Sequence, residues 1–148
     1  MMRYQRPGFR HELSSAIAML LNGHSDLAAY LVAAHHGKVR LSIRSLPHEK
    51  QPKDDLQKRF AHGIWDGDVL PVTDLGANVM LPQTTLDLSF MELGEGQRGE
   101  SWLARMLKLR DDPELGPFRL SLLEAVLRVA DWRASGDPDT DVVEEGER

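Results

Sequence analysis

Apolar residues recur every three to four positions in two stretches near the start of the chain and two near its end, the spacing of helices with one buried side. The first predicted helix runs from about Phe9 to Leu21 and stops at Asn22-Gly23, a good exit signal. Ser25 is placed to cap the second, which extends to His36, with Gly37 available for a left-handed exit. The period then changes. Val39, Leu41 and Ile43 alternate with Arg40, Ser42 and Arg44, and Leu86, Leu88 and Phe90 alternate with Asp87 and Ser89, so a small hairpin between Val39–Leu46 and the later run is expected. Pro47 and Pro52 bracket a loop, Asp54 to His62 reads as a short polar helix, and Gly63 to Gly99 is rich in turns, among them Leu75-Gly76. Helical spacing resumes at about Glu100 to Leu109, breaks at Asp111-Asp112-Pro113, and returns in a long helix from Phe118 to Ala134 with Pro117 in its first turn. That helix is apolar on most sides and is expected to be central. The pattern predicts a mainly α fold, a helical bundle over residues 1–135 with a loop and β-hairpin insertion at 37–99. An acidic, disordered tail at 136–148 follows.

With 148 residues and 41% apolar content the chain has the size of one domain with a real core. Without cysteine it has neither disulfides nor thiolate metal sites, which suits a cytoplasmic protein. No apolar run approaches the roughly 18 to 20 residues that cross a bilayer, and the start lacks a signal-peptide stretch. The net charge of −5 belongs to the tail from Asp137 to Arg148, which has six acids and one base, leaving 17 of each sign elsewhere. Arg40, Arg44, Arg98, Arg105, Arg110 and Arg119 are dispersed, more like solvated surface charge than a dense phosphate-binding patch.

The candidate chemistry lies in His35-His36-Gly37, in Arg10-His11-Glu12 and in Ala130-Asp131-Trp132-Arg133-Ala134-Ser135. Three histidines and a carboxylate on helices are a plausible hydrolytic metal set. Consecutive helical residues differ in direction by about 100°, so His35 and His36 are expected to face two ions, or one to bind metal while the other meets substrate. Asp131 reads as a buried carboxylate in need of a cation. The simpler readings are a helix-end hydrogen bond for His36, a helix-start position for His11, and an ion pair with Arg128 or Arg133 for Asp131. His24, His48 and His62 fall in polar surroundings and read as surface residues. Asp66-Gly67-Asp68 lacks the rest of a calcium loop and reads as a turn. Gly94-Glu95-Gly96 is no phosphate loop, and Ser14-Ser15 lacks a nucleophile elbow.

Phe9-Arg10-His11-Glu12-Leu13-Ser14-Ser15, Tyr30-Leu31-Val32-Ala33-Ala34-His35-His36-Gly37 and Leu123 to Ser135 resemble, in that order, the HD-type nuclease domain of the CRISPR-associated helicase-nuclease of type I systems. The resemblance spans about Arg6 to Ser135, and the Trp65 to Asp68 region resembles the insertion of one subtype. It implies an HD-domain-like helical bundle that cuts single-stranded DNA with one or two divalent metals (manganese, nickel, cobalt, iron or zinc). His11, His35, His36 and Asp131 are the implied metal ligands, and Asp131 and His36 the implied catalytic residues. The family's His-Asp dyad has no counterpart, since no histidine here precedes an aspartate. A partial domain is therefore expected, with exposed apolar surface that favours a helicase subunit, a complementing chain or self-association. Two rival expectations are a non-catalytic interaction module and an HD-type nucleotide phosphohydrolase.

Overall fold

A computed structural model describes residues 6–37, 39–74 and 79–135. The expected disordered tail and the Leu75-Gly76 turn lie outside them. Of the described residues 43% are helical, in four α-helices and a 3-10 turn, and 13% lie in short antiparallel strands. The fold is therefore mixed α/β, which corrects the expectation of a mainly helical, HD-like bundle.

Helix α1 (His11–Leu21) ends where Asn22-Gly23 predicts. Gly23 takes φ 78, and the His24 and Gly23 amides donate to the Met19 and Leu20 carbonyls at 3.0 and 3.1 Å, a Schellman closure. Asn22 also donates from its side chain to Thr84 Oγ1 at 2.9 Å, tying this end to the β-rich segment. Helix α2 (Asp26–Ala34) is capped by Ser25, whose Oγ accepts from the Ala28 amide. It stops two residues earlier than expected. The Gly37 amide closes the last turn onto the Ala34 carbonyl at 2.6 Å, with Gly37 at φ 73, so His35 and His36 stand in the exit turn rather than on the helix.

Between α2 and residue 101 the described residues make four strand pairs, none of them the expected hairpin. They are β1 (Phe60–Ala61) with β2 (Ile64–Trp65), β3 (Val69–Leu70) with β6 (Thr84–Thr85), β4 (Thr73–Asp74) with β5 (Met80–Leu81), and β7 (Glu95–Gly96) with β8 (Gly99–Glu100). Val39 and Ile43 are buried but Leu41 is exposed, so the alternation does not put one face inward. Leu88–Met91 is a 3-10 turn capped by Asp87, which accepts from the Ser89 amide. The polar helix expected at 54–62 is loop and turn leading into β1. Asp66-Gly67-Asp68 is the turn after β2. Asp66 accepts from the Leu88 amide and Arg59, Asp68 from the Trp65 amide and Arg6.

Helix α3 (Trp102–Asp111) is capped by Ser101, and Trp102, buried, donates its indole N–H to the Arg40 carbonyl at 2.8 Å. Helix α4 (Gly116–Ser135) is not central. Only Leu120 and Glu124 are buried along it, while Phe118, Leu122, Val126, Val129 and Trp132 are exposed. One core joins Leu13, Ile17, Ala29, Ala33, Ile64, Leu81, Leu88, Phe90, Trp102, Met106 and Leu120, so the segment between α2 and α3 shares the core of the helices. No helix among the described residues is long and apolar enough to cross a membrane.

Candidate metal centre

Three chain segments converge at one end of the fold: the first turn of α1, the exit of α2 and the last turns of α4. The His35 and His36 rings lie 4.0 Å apart between centroids, and the His11 ring meets the His36 ring edge-on at 5.6 Å. Ligand atoms of His35, His36 and Asp131 lie within 4.8 Å of one another, and those of His11, Glu12 and His36 form a second such group. The expected ligands are thus brought together, with His36 common to both groups. The adjacent histidines reach one locus at the end of α2, where His35 still has helical angles and Gly37 closes the turn.

Second partners orient this cluster. His35 Nδ1 lies 2.6 Å from the Val32 carbonyl. A carbonyl only accepts, so Nδ1 carries the proton, and in the neutral ring Nε2 is the nitrogen with a lone pair to offer a metal. The His35 carbonyl in turn accepts from Arg128 Nε at 2.8 Å, tying the α2 exit to α4 one turn before Asp131. Asp131 itself is exposed, against the expectation of a buried acid, so desolvation places no demand on it. His11 is exposed as well, whereas its neighbour Glu12 is 1% exposed. His36, Arg128, Val129, Asp131, Trp132 and Ser135 line a cleft of about 450 Å³ beside the cluster. A larger cavity of about 520 Å³, near Arg10, His48, Glu49 and His62, does not include it. His62 is half-buried rather than a surface residue, and burial pushes its imidazole below the ordinary histidine value.

The buried acid of α4 is Glu124. Its carboxylate accepts from Tyr30 Oη at 3.2 Å, from Arg40 at 2.6 and 3.2 Å, and from Arg128 at 3.0 Å. Burial raises its pKa, but the Arg40 hydrogen bonds and charge, with help from Tyr30 and Arg128, outweigh that and hold it below the usual carboxylate value. Tyr30 is raised, first by burial and then by the Glu124 charge. Sequence reasoning missed this network and Glu12. The signal was present for both: each acid sits beside apolar residues, Leu123 and Ala125 in one case and Leu13 in the other. Most dispersed arginines prove structural. Arg40 is bound to Glu124, Arg98 to Asp87, Arg105 to Asp26 and Arg110 to Asp111.

No family model, curated protein or solved structure matches the chain. The functional reading therefore rests on the geometry of this cluster and on the resemblance of its three motifs.

Proposed function

We propose that the chain is a metal-dependent phosphodiesterase of the HD nuclease type, acting on single-stranded DNA in CRISPR interference, with a divalent transition metal held by His35, His36 and Asp131 and supported by His11. The observation that carries this reading is the convergence of two histidines from the α2 exit and an aspartate from α4 on one locus beside a cleft. Mixed imidazole and carboxylate donors suit manganese, iron, cobalt, nickel or zinc. When bound, such an ion supplies Lewis acidity and an activated water for phosphoester hydrolysis.

The chain's own residues do the rest. Val32 fixes the His35 tautomer, and Arg128 holds the α2 exit against α4. His36 and Asp131 face the cleft and are the residues that would meet the scissile phosphodiester. The exposed indole of Trp132 on the same cleft offers a stacking face for an unpaired base. A helicase subunit or a complementing chain carrying the His-Asp pair is the partner this reading calls for. The exposed apolar side of α4 favours a second reading, an interaction module whose histidines hold no metal.

The test is elemental analysis of the purified chain beside His35→Ala and Asp131→Ala, followed by manganese-, nickel- or cobalt-dependent cleavage of single-stranded DNA and of mononucleotides. About one ion or more per chain and strand cleavage, both lost in the variants, are expected. Unchanged cleavage in both variants would sink the mechanism. Absence of metal in all three proteins favours the interaction module, and turnover of mononucleotides alone favours a nucleotide phosphohydrolase.

A further inference from the structure

The buried acids of this fold are treated unequally. Asp68 is held by Arg6 and the Trp65 amide, and Glu124 by Tyr30, Arg40 and Arg128. Glu12 is as deeply buried, yet neither of its carboxylate oxygens has a hydrogen-bond partner. The nearest cationic groups, Arg10 at 3.8 Å and His11 Nδ1 at 3.5 Å, are too distant or misaligned to donate. A carboxylate taken out of water needs a compensating charge. Next to it, His11 and His36 offer imidazole nitrogens, and the three ligand atoms lie within 4.8 Å of one another. Ligands bound at about 2.1 Å to a first-row ion stand roughly 3 to 4 Å apart, so small side-chain rotations close this group on a cation.

We infer that Glu12 is a carboxylate ligand of a second divalent-cation locus, formed with His11 and His36. The inference rests on the proposed function only in taking His11 and His36 as metal-binding residues. Glu12 supplies the anionic donor at this locus, as Asp131 does at the other, and His36, whose neutral imidazole has one free lone pair, is within reach of both loci but serves one ion at a time. The ion would satisfy carboxylate oxygens that the fold leaves without a hydrogen bond and with only Arg10 at 3.8 Å as counter-charge, so its binding should stabilise the chain.

The experiment is titration of the full metal-free chain with cobalt(II) alone, read by calorimetry, by the visible absorption of the bound ion and by thermal melting. Glu12→Gln and His11→Ala are expected to weaken one binding event by about 10- to 100-fold, the effect of losing a ligand or its close support. Asp131→Asn should leave that event in place. Cobalt should raise the melting temperature of the natural chain but not of Glu12→Gln, whose metal-free form should melt above the metal-free natural chain. His11→Ala removes an exposed side chain, so it decides the matter should Glu12→Gln misfold. Cobalt binding and stabilisation unchanged in both variants overturn the inference and leave Glu12 a structural carboxyl. Glu12-dependent cobalt binding without DNA cleavage overturns the nuclease reading alone. Cleavage that needs Asp131, with cobalt binding indifferent to Glu12 and His11, overturns this inference alone.

Discussion

Three acids, Glu12, Glu124 and Asp131, carry the residue-scale argument, and each follows from what surrounds its carboxylate. Asp131 is exposed, so its place beside His35 and His36 is a matter of position rather than of burial. Glu124 is buried and fully satisfied, and its folded pKa lies below its ordinary value. A depressed carboxylate contributes stability that is fully present above its unfolded pKa and is lost as the pH falls through the folded one. Glu124→Gln should therefore lower stability at neutral pH by about 1 to 2 kcal/mol, discounted because Arg40 and Arg128 are half-exposed. The loss should shrink toward acid. Denaturant melts of both proteins at several pH values between neutral and strongly acidic give the check, and a loss that does not vary with pH would refute the assignment.

At the scale of elements, closures matter more than lengths. The entry to α1 is set by the β1–β2 hairpin, whose turn residues His62 and Gly63 take φ 52 and 74, the pattern of a type I′ turn. The His62 carbonyl accepts from the Arg10 amide at 3.0 Å, one residue before His11. A Cβ on Gly63 would overlap the Phe9 backbone, so this glycine is demanded both by its φ and by close approach. Gly63→Ala should cost more than about 2 kcal/mol and displace the start of α1. Thermal melting and cobalt binding should fall together, and a variant that melts like the natural chain would show that Phe9 moves aside freely. The α2 exit works in the same way: the left-handed Gly37 ends the helix just after His35 and His36, and Arg128 ties the His35 carbonyl to α4.

Across the whole molecule, α4 decides the shape. It lays one narrow edge, Leu120 and Glu124, on the rest of the fold and leaves Phe118, Leu122, Val126, Val129 and Trp132 outside. Leu120→Ala should destabilise the chain by about 2 to 5 kcal/mol, as for other buried leucines. Val126→Ser, on the outer side, should change stability by no more than about 0.5 kcal/mol. Equal losses in the two variants, measured by chemical denaturation, would mean that the outer side is covered in solution. The β-rich segment packs into the same core, so changes at Ile64 or Leu88 should be felt by the helices that carry the histidines.

The sequence alone determined where the four α-helices lie, the Ser25 cap, and His11, His35, His36 and Asp131 as the residues to watch. Capping by Ser25, the Asn22-Gly23 closure and the turn at Gly37 are local chemistry, written within a few residues and indifferent to what lies across the core. The tertiary structure decided what no local pattern contains. The alternation at Val39–Ile43 found no strand partner and became loop, and pairing arose instead at short turns such as His62-Gly63. An apolar helix announces that it can be buried, but the other elements determine how much of it is. Here they cover one edge of α4, which makes Glu124 the buried acid and leaves Asp131 at the surface beside the histidines. Burial and the meeting of distant side chains are properties of the packed whole, which is why Glu12 is, among the described residues, a buried carboxylate without a hydrogen bond.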